Sequence, residues 1–526
     1  MLFSQTGIVI NFLIKPYKPE QIFSILNVMD IRTISRFKTS YVNPSRRDLL
    51  KQLMAMGCLS TTTLFSTSFL SAAEKRNLAK QELNNSTSKG DERYEALRKA
   101  MIWRVNTPKR YPDIIVQATT EAEIQECLKF ASRNQLQVVC RGSGHNTAGS
   151  VLREGGMLLD ISAMAEASVD VETMTADVGP GVNMHRFYQS LTTWGKVFPV
   201  AECHGVAMGG YLLGGGYPPI GTIWAKGPAC YSILSADVIL ASGKKVLASK
   251  ECNPELFWAI RGVGPGFFGV VTNYHVRIYE HPKIIMQSTF FYELEKLPNV
   301  ISFLNTLQKE KDDRVEVSVA LTNEPGDKKR TVAKLKIIVA VTGSPDSESE
   351  ARSLLELYST SSLSSLAKSI REYEAVEFSD LMYSPNRNLR NNSDNIWTDD
   401  ANALMAIVEH YMNKPEGSTL YMTLHHGRQS SVEREDACYS SVGSHFLSSH
   451  LLWEHASDDE LSKQWYAEFN RILKPYASSH YVNQVDNEHH PQRIQASFTE
   501  ENWLRLGALR KKHDPDQLFY SYLGYD

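Results

Sequence analysis

The sequence has few of the residues that bind metals. It contains seven cysteines among 526 residues, and the six that follow Cys58 lie far apart. They form no C-x-x-C pair, and the histidines and cysteines show no spacing typical of metal ligands. We therefore expect no metal site and no required disulfide, and we expect most of these cysteines to be small buried hydrophobic residues.

An excess of charge of one sign is also lacking. The 56 lysine and arginine residues nearly balance the 59 aspartate and glutamate residues, which leaves a formal net charge of −3. No basic patch with interleaved aromatic residues is present, so we expect no nucleic-acid partner. Apolar residues make up 42% of the chain, which is ordinary for a folded enzyme, and its length predicts two or three domains.

Residues 1–73 have the pattern of a targeting segment. Ser45 to Lys51 contains an arginine pair and resembles the twin-arginine export signature, and a mildly apolar, Ser/Thr-rich stretch follows from Leu53 to Leu70. Ser71 to Ala73 has the small residues of a cleavage site. Polar residues interrupt this stretch too often for it to remain in a bilayer.

These features predict an exported protein, periplasmic or extracellular, that contacts the export machinery through this region and makes no stable membrane insertion. A buried N-terminal helix is the alternative interpretation of the same stretch. Met29 is a more natural start than Met1, so residues 1–28 are expected to be untranslated.

The remaining chain changes in composition along its length. Residues 74–95 are polar and predict a linker, residues 96–280 are rich in glycine loops, and residues 476–526 are rich in aromatic and polar residues. Residues 281–475 predict a substrate domain with an antiparallel sheet and covering helices. The strands expected there are 315–321 and 332–341, and the helices are 346–358, 362–375 and 459–474.

A β-α-β unit leads to the first glycine loop. Tyr111 to Val116 predicts a strand, Thr120 to Glu123 is a capping box that begins a helix, and Leu136 to Cys140 predicts the next strand. Residues 141–145, Arg-Gly-Ser-Gly-His, follow that strand. Glycines here leave bare backbone whose N–H groups converge on the phosphates of a large anionic ligand, and His145 then lies beside that ligand.

Two further stretches are dense in glycine. Residues 205–216 contain six glycines, each of which costs a helix about 1 kcal/mol relative to alanine. This stretch lies between two predicted hairpins, over 169–178 and 235–248, and a third glycine loop, residues 264–269, enters a strand. Such glycines indicate close packing of backbone against a flat or extended ligand.

The three loops, with a histidine on the first and a cysteine beside the second, resemble the FAD-linked oxidases of the vanillyl-alcohol oxidase superfamily and its berberine-bridge-enzyme-like group. The resemblance is strong over 96–280, weak in the middle domain and clear in the C-terminal segment. It is carried by RGSGH at 141–145, CHGVAMGGYLLGGGY at 203–217, LFWAIRG at 256–262, GFFGVVT at 266–272, YVNQ at 481–484 and DPDQLF at 514–519. It implies an α+β fold: a PCMH-type two-subdomain FAD-binding domain, an antiparallel-sheet substrate domain, and a C-terminal segment that returns to the FAD domain.

The resemblance also implies roles for individual residues, with FAD as the cofactor. His145 matches the histidine bonded to the flavin 8α carbon, and Cys203 matches the cysteine bonded to flavin carbon 6 in bicovalent members. Tyr481 is implied as a base or hydrogen-bond donor at the substrate and Asn483 as a flavin contact, both on one face of a strand. The other residues implied to bind the cofactor are Arg141, Gly142, Ser143, Gly144, Asn146, Gly149, Gly179, Gly205, Val206, Gly209, Gly210 and Val270.

Several of these residues have an ordinary structural interpretation as well. His145 is then a loop histidine with satisfied hydrogen bonds, Cys203 a small buried hydrophobic residue and Tyr481 a core tyrosine. His425 follows a predicted strand. In one interpretation it lines the substrate pocket, and in the other it lies in a surface turn. The pattern also departs from the family where His204-Gly205 replaces Pro-Thr after the cysteine.

The implied function is that of an exported FAD-dependent oxidase, which removes hydride from an alcohol or amine carbon of a carbohydrate or secondary metabolite and is reoxidised by dioxygen. Val206 matches the position where oxidases of this group leave room for dioxygen. A dehydrogenase with another electron acceptor and a non-catalytic flavin-binding protein are the alternatives. An NAD-dependent enzyme is disfavoured because no acidic residue is placed for the ribose after a G-x-G-x-x-G.

Overall fold

The computed structural model describes much of the chain from Leu70 onward. The predicted targeting segment, residues 1–73, lies outside the described residues as far as Phe69. The described residues are 70–217, 227–307, 312, 314–323, 335–343, 346–377, 379, 389–426, 435–441 and 443–525. None of the helices within these ranges is both long enough and apolar enough to span a membrane.

The first layer is a four-stranded sheet with helices. Its elements are α1 (Ala72–Glu82), β1 (Ser86–Ser88), α2 (Tyr94–Ala100), β2 (Ile114–Gln117), α3 (Glu121–Arg133), β3 (Val138–Arg141) and β4 (Met157–Asp160). The strand order is β1-β2-β4-β3, and β2 and β3 both pair parallel to β4. The side chain of Thr120 accepts a 3.2 Å hydrogen bond from the Glu123 N–H at the start of α3, which confirms the predicted helix start.

The predicted linker over 74–95 is wrong, because this segment belongs to the first layer. Ser71, within the expected cleavage site, forms a capping box with Glu74 at the start of α1, and Ala79 is fully buried. Strand β1 pairs antiparallel with β2. The sequence pattern does not predict α1 and β1, because only one narrow face of α1 is apolar and β1 has only three residues.

The second layer is an antiparallel sheet of five strands in the order β5-β6-β10-β8-β9. Its elements, with those beside it, are β5 (Ala167–Asp170), β6 (Thr175–Val178), α4 (Met184–Thr192), β7 (Lys196–Val197), α5 (Met208–Leu213), β8 (Ile233–Leu240), β9 (Lys245–Ser249), α6 (Pro254–Ile260), β10 (Gly269–Arg277) and β11 (Tyr279–Glu280). The hairpins β5-β6 and β8-β9 confirm the two that were predicted.

The third layer is a seven-stranded antiparallel sheet in the order β15-β12-β14-β13-β17-β18-β16. Its elements are β12 (Met286–Glu293), α7 (Leu297–Leu307), β13 (Val315–Asn323), β14 (Leu335–Gly343), α8 (Glu348–Ser359), β15 (Ser369–Ala375), β16 (Arg390–Thr398), α9 (Ala403–Met412), β17 (Thr419–His426), β18 (His445–Trp453) and α10 (Asp459–Leu473). Val319, Leu424 and Leu447 share a buried cluster with Leu404 of α9 and Phe469 of α10, so helices cover this face of the sheet. Alternation then places Glu316, His425 and Phe446 on the opposite face.

The helix predicted over 362–375 is wrong. Ser364–Leu366 form one turn of 3₁₀-helix, and the following residues form β15, which pairs antiparallel with β12 at the edge of the sheet. The side chains of β15 are mostly exposed and polar. Its sequence therefore carries no apolar alternation, and only pairing with a distant strand makes it extended.

The C-terminal segment returns to the first layer after α11 (Gln492–Gln495) and α12 (Glu500–His513). The Val138 N–H of β3 donates to the Leu518 carbonyl at 2.7 Å, and the Tyr520 N–H donates to the Val138 carbonyl at 3.0 Å. The buried carboxylate of Asp514 accepts hydrogen bonds from the N–H groups of Leu518 (2.7 Å) and Phe519 (2.9 Å). Helices, one mixed sheet and the larger antiparallel sheets thus form the α+β fold that was predicted.

We expect Asp514→Ala to lower the free energy of unfolding by about 1–3 kcal/mol, because two buried N–H groups lose their acceptor. Urea denaturation followed by circular dichroism measures this change. Asp516→Ala is the matched control, since Asp516 is exposed in the same turn. Equal stability of the two variants would contradict the assigned role of Asp514.

Candidate active site

The first glycine loop is held by its own arginine and by a neighbouring segment. The Arg141 guanidinium pairs with the buried Asp160 carboxylate at 2.9 Å and donates to the Met101 carbonyl at 3.1 Å. This charge therefore has a partner within the protein. Gly144 has a φ of +67°, and a Cβ there would lie 1.9 Å from the Met101 carbonyl oxygen, so only glycine fits.

The first and second glycine loops meet at the two residues predicted to bond the flavin. The Cys203 sulfur lies 3.0 Å from His145 Nε2, and Cys203 is only 8% exposed. The Ser143 hydroxyl accepts a 3.0 Å hydrogen bond from the Ala207 N–H, so a side chain of the first loop is joined to the backbone of the second. Segments that are about 60 residues apart in sequence thus place an imidazole and a thiol side by side.

An aromatic residue that the sequence analysis missed lies against His145. The ring centroids of Trp103 and His145 are 4.7 Å apart and their planes differ by 24°, which is a stacked arrangement. No motif in the sequence singles out Trp103, and only the fold reveals the contact.

The predicted glycines divide into two groups. Gly179 and Gly209 pack against protein, because added Cβ atoms would lie 2.4 Å from the Met164 carbonyl oxygen and 2.9 Å from the Pro180 Cβ. Gly210 differs, since a Cβ there would meet nothing within 4 Å, and Gly142 would make only ordinary contacts of 3.5 Å or more. A side chain would therefore fit at both positions of the second group, and at Gly210 it would enter open space.

Three of the remaining residues predicted to bind the cofactor make contacts within the protein. The Gly149 carbonyl accepts a hydrogen bond from Arg110, and the Val206 carbonyl accepts one from Met184 across the loop that includes Gly205. Val270 pairs with Ile239 inside an apolar cluster and is 1% exposed, so its side chain lies in the core.

Asn483 connects the C-terminal segment to both glycine loops. Its carbonyl accepts a 2.9 Å hydrogen bond from the Asn146 amide, and its own amide donates to the Gly210 carbonyl at 2.9 Å. A Cβ at Gly214 would lie 2.1 Å from the same amide nitrogen. The missing side chain at Gly214 therefore lets the C-terminal segment pack directly against the backbone of the second glycine stretch.

The prediction that Tyr481 and Asn483 share a strand is wrong, because residues 482–484 form a turn. The turn still brings their side chains together, since the Asn483 amide donates to the Tyr481 hydroxyl at 3.2 Å. That hydroxyl also accepts from the Tyr217 N–H at 3.3 Å. Tyr481 is 5% exposed, and burial raises the pKa of its phenol to about 12, so it keeps its proton at neutral pH.

An aromatic cluster joins this turn to the open face of the third sheet. Tyr217 packs on Phe446 (ring centroids 4.3 Å apart) and Trp397 (5.4 Å), and it lies 6.2 Å from the ring of His425. His425 is therefore a buried residue beside the Tyr217–Tyr481 pair, which favours the pocket interpretation over the surface turn.

His425 forms a dyad with Glu316 of the adjacent strand. Its Nδ1–H donates to the Glu316 carboxylate at 3.0 Å, and both residues are buried. No described residue makes a hydrogen bond to His425 Nε2. A carboxylate that fixes one ring nitrogen and leaves the other to a substrate is the arrangement of a histidine base. The sequence does not link these residues, which are 109 positions apart.

The site fits FAD by the chemistry of its donors. A Cβ at Gly210 would meet nothing within 4 Å, and an imidazole and a thiol, both competent nucleophiles, meet where His145 and Cys203 of the two glycine loops come together. His145, Cys203 and the loop backbones would hold the flavin. Among the described residues, no three metal-ligating side chains cluster as a metal would require.

Comparisons with known proteins agree with this geometry. Residues 112–249 match the family described as an FAD binding domain. The (R)-6-hydroxynicotine oxidase of Paenarthrobacter nicotinovorans is 30% identical over 223 residues, which are 42% of this chain and 48% of that protein. The chain spans about half the length of the curated relatives it matches.

Solved structures show the same fold. A berberine-bridge-enzyme-like protein of Physcomitrella patens is 18% identical with a TM-score of 0.71, and a xylooligosaccharide oxidase of Myceliophthora thermophila is 20% identical with a TM-score of 0.72. Each comparison covers 86% of this chain and 98% of the other.

Two alanine substitutions should separate structural from ligand-facing glycines. We expect Gly144→Ala to destabilise the apoprotein by about 1–3 kcal/mol, because it strains the backbone and strikes the Met101 carbonyl. Gly210→Ala should leave the apoprotein as stable as the parent, or more stable by up to about 1 kcal/mol, because its Cβ meets no protein atom and Gly210 lies within α5, and it should weaken FAD binding. Thermal unfolding of the apoprotein and fluorescence titration with FAD measure both effects. An apoprotein with Gly210→Ala that is as unstable as Gly144→Ala would refute the division.

Proposed function

The chain carries an FAD-binding domain on the berberine-bridge-enzyme-like fold, and we propose that it is an exported FAD-dependent oxidase acting on an alcohol or amine carbon. The 3.0 Å contact between His145 and Cys203 supports this proposal most directly. Two side chains that the family resemblance assigns to flavin bonds come from separate glycine loops and meet in the folded structure. We propose that His145 tethers the flavin and that Cys203 forms the second bond.

The protein residues of the proposed reaction come from the C-terminal turn and the third sheet. A bound FAD would supply the hydride acceptor and the route of the two electrons to dioxygen, with hydrogen peroxide as the product. Tyr481 keeps its proton because burial raises the pKa of its phenol to about 12, so it serves as a hydrogen-bond donor to the substrate oxygen or nitrogen. A tyrosine base would need the opposite shift in pKa.

His425 is our proposed proton acceptor. Its Nε2 takes the O–H or N–H proton of the substrate, and Glu316 stabilises the resulting imidazolium through the 3.0 Å hydrogen bond at Nδ1. The substrate then loses one proton and one hydride, which balances a two-electron oxidation to a carbonyl or imine. The buried Tyr217 lies near both His425 and Tyr481, with ring centroids 6.2 Å and 6.3 Å away.

The names of the relatives support an alcohol or amine carbon as the point of attack. One is a 6-hydroxynicotine oxidase and another a xylooligosaccharide oxidase, so we propose a secondary metabolite or a carbohydrate as the substrate. We propose export by the twin-arginine route, because that route carries folded proteins and suits a flavoprotein that loads its cofactor first. Fractionation of cells that express the full chain or a chain without residues 1–69, which keeps the Ser71 cap of α1, tests export.

Acid precipitation tests the tethers. We expect the wild-type pellet to stay yellow, each of His145→Ala and Cys203→Ala to retain flavin through the other bond, and the double variant to release it to the supernatant. Flavin absorbance of pellet and supernatant is the measurement, and Cys230→Ala, another buried cysteine, is the control. Colour in the wild-type supernatant would contradict both tethers while leaving bound FAD, and a colourless folded protein would contradict FAD binding.

Anaerobic stopped-flow reduction tests the base. With xylobiose and (R)-6-hydroxynicotine as donors, we expect His425→Gln to slow flavin reduction by about 10²–10⁴-fold, the usual contribution of a general base. Glu316→Gln should slow it less, because the imidazole stays in place. The exposed His455→Gln is the control, and reduction by dithionite checks that the flavin is competent. Unchanged reduction in His425→Gln would exclude it as the base, and slow reoxidation of wild-type flavin by air would favour a dehydrogenase.

A further inference from the structure

We infer that Trp103 is a positioning residue for flavin attachment, because it holds the His145 imidazole in the orientation that the bond to the flavin requires. This inference rests on the proposed function, since it needs a flavin tether at His145. Neither the sequence motifs nor the relatives assign a role to Trp103.

The stacking geometry carries the inference. Trp103 and His145 lie 4.7 Å apart between ring centroids with a 24° angle between their planes, so the indole restricts rotation of the imidazole about its side-chain bonds. The Cys203 sulfur contacts the edge of the same imidazole, at Nε2, from 3.0 Å. One neighbour thus fixes the ring plane and the other fixes the direction of one nitrogen.

The backbone around Trp103 is anchored separately from its side chain. The Trp103 N–H donates to the Gly144 carbonyl at 3.0 Å, and the Met101 carbonyl accepts from Arg141 at 3.1 Å. A substitution of the indole leaves these main-chain contacts available. The stacking can therefore be tested without removing the contact between segment 101–103 and the glycine loop.

The next residue anchors this segment to the C-terminal part of the chain. Arg104 is buried and pairs with Glu488 at 2.8 Å, and Arg110 pairs with the other oxygen of the same carboxylate at 3.0 Å. A residue next to such an anchor has a well-defined backbone position, so the indole meets His145 in one place. Rigid support of this kind is what a positioned nucleophile needs.

Attachment depends on orientation because it is an attack by one nitrogen on one carbon. The bond replaces the imidazole N–H and one C–H of the flavin methyl group by an N–C bond. The two hydrogens and their electrons reduce the flavin, and dioxygen, itself reduced to hydrogen peroxide, then reoxidises it. A displacement of about 1 Å from the reacting geometry costs about 10²-fold in rate.

The test follows attachment over time in a Cys203→Ala background, in which only the His145 tether can form. FAD is added to the apoprotein, samples are denatured, and flavin fluorescence in the protein band after denaturing electrophoresis gives the covalent fraction. We expect Trp103→Leu, which fills space without an aromatic ring, to slow attachment by about 10²-fold while noncovalent FAD still binds. Trp103→Phe should restore most of the rate, and Trp194→Ala, at a 60% exposed tryptophan, should not change it.

The outcomes separate the two proposals. Attachment at the parental rate in Trp103→Leu overturns the role of Trp103 and leaves the tether intact. An equal loss in Trp103→Leu and Trp103→Phe, with unchanged thermal stability and FAD binding, also overturns it, because stacking then makes no difference. Absence of covalent flavin in the wild type as well as in the Cys203→Ala parent contradicts the tether at His145 itself.

Discussion

The contact between His145 and Cys203 is the constraint on which the rest of the candidate site depends. A separation of 3.0 Å between an imidazole nitrogen and a thiol sulfur requires the two glycine loops to hold these side chains against each other. Gly144 lets the first loop pack on segment 101–103, because its missing side chain leaves room for the Met101 carbonyl. The Ser143 hydroxyl joins the first loop to the second by accepting a hydrogen bond from the Ala207 N–H. Several glycines in these loops therefore serve packing within the protein, and Gly210 leaves open space where a side chain would lie.

A second consequence is that the site is assembled from three distant parts of the chain. Asn483 of the C-terminal turn bonds to Asn146 of the first loop and to Gly210 of the second. Through Tyr481 and Tyr217 the same turn reaches the open face of the third sheet, where His425 and its carboxylate partner lie. The residues proposed to hold the cofactor and those proposed to act on the substrate are thus connected by hydrogen bonds and aromatic contacts.

The sequence predicted the features that local chemistry determines. Capping at Thr120, the two hairpins and the glycine loops depend on neighbouring residues, and the structure contains them. It did not predict β15 or the turn at Asn483, since these conformations come from pairing with distant segments. Trp103 and the His425–Glu316 dyad were missed for the same reason. Their partners lie 42 and 109 positions away, and no spacing rule connects residues so far apart.

The claim that this site holds FAD is tested most directly by the visible absorption spectrum of the native purified protein. The account predicts the two flavin bands, in a one-to-one ratio with protein, or their appearance when FAD is added to protein purified without cofactor. Circular dichroism on the same sample establishes that the chain is folded. A folded protein that shows no flavin bands and binds no added FAD would contradict the account.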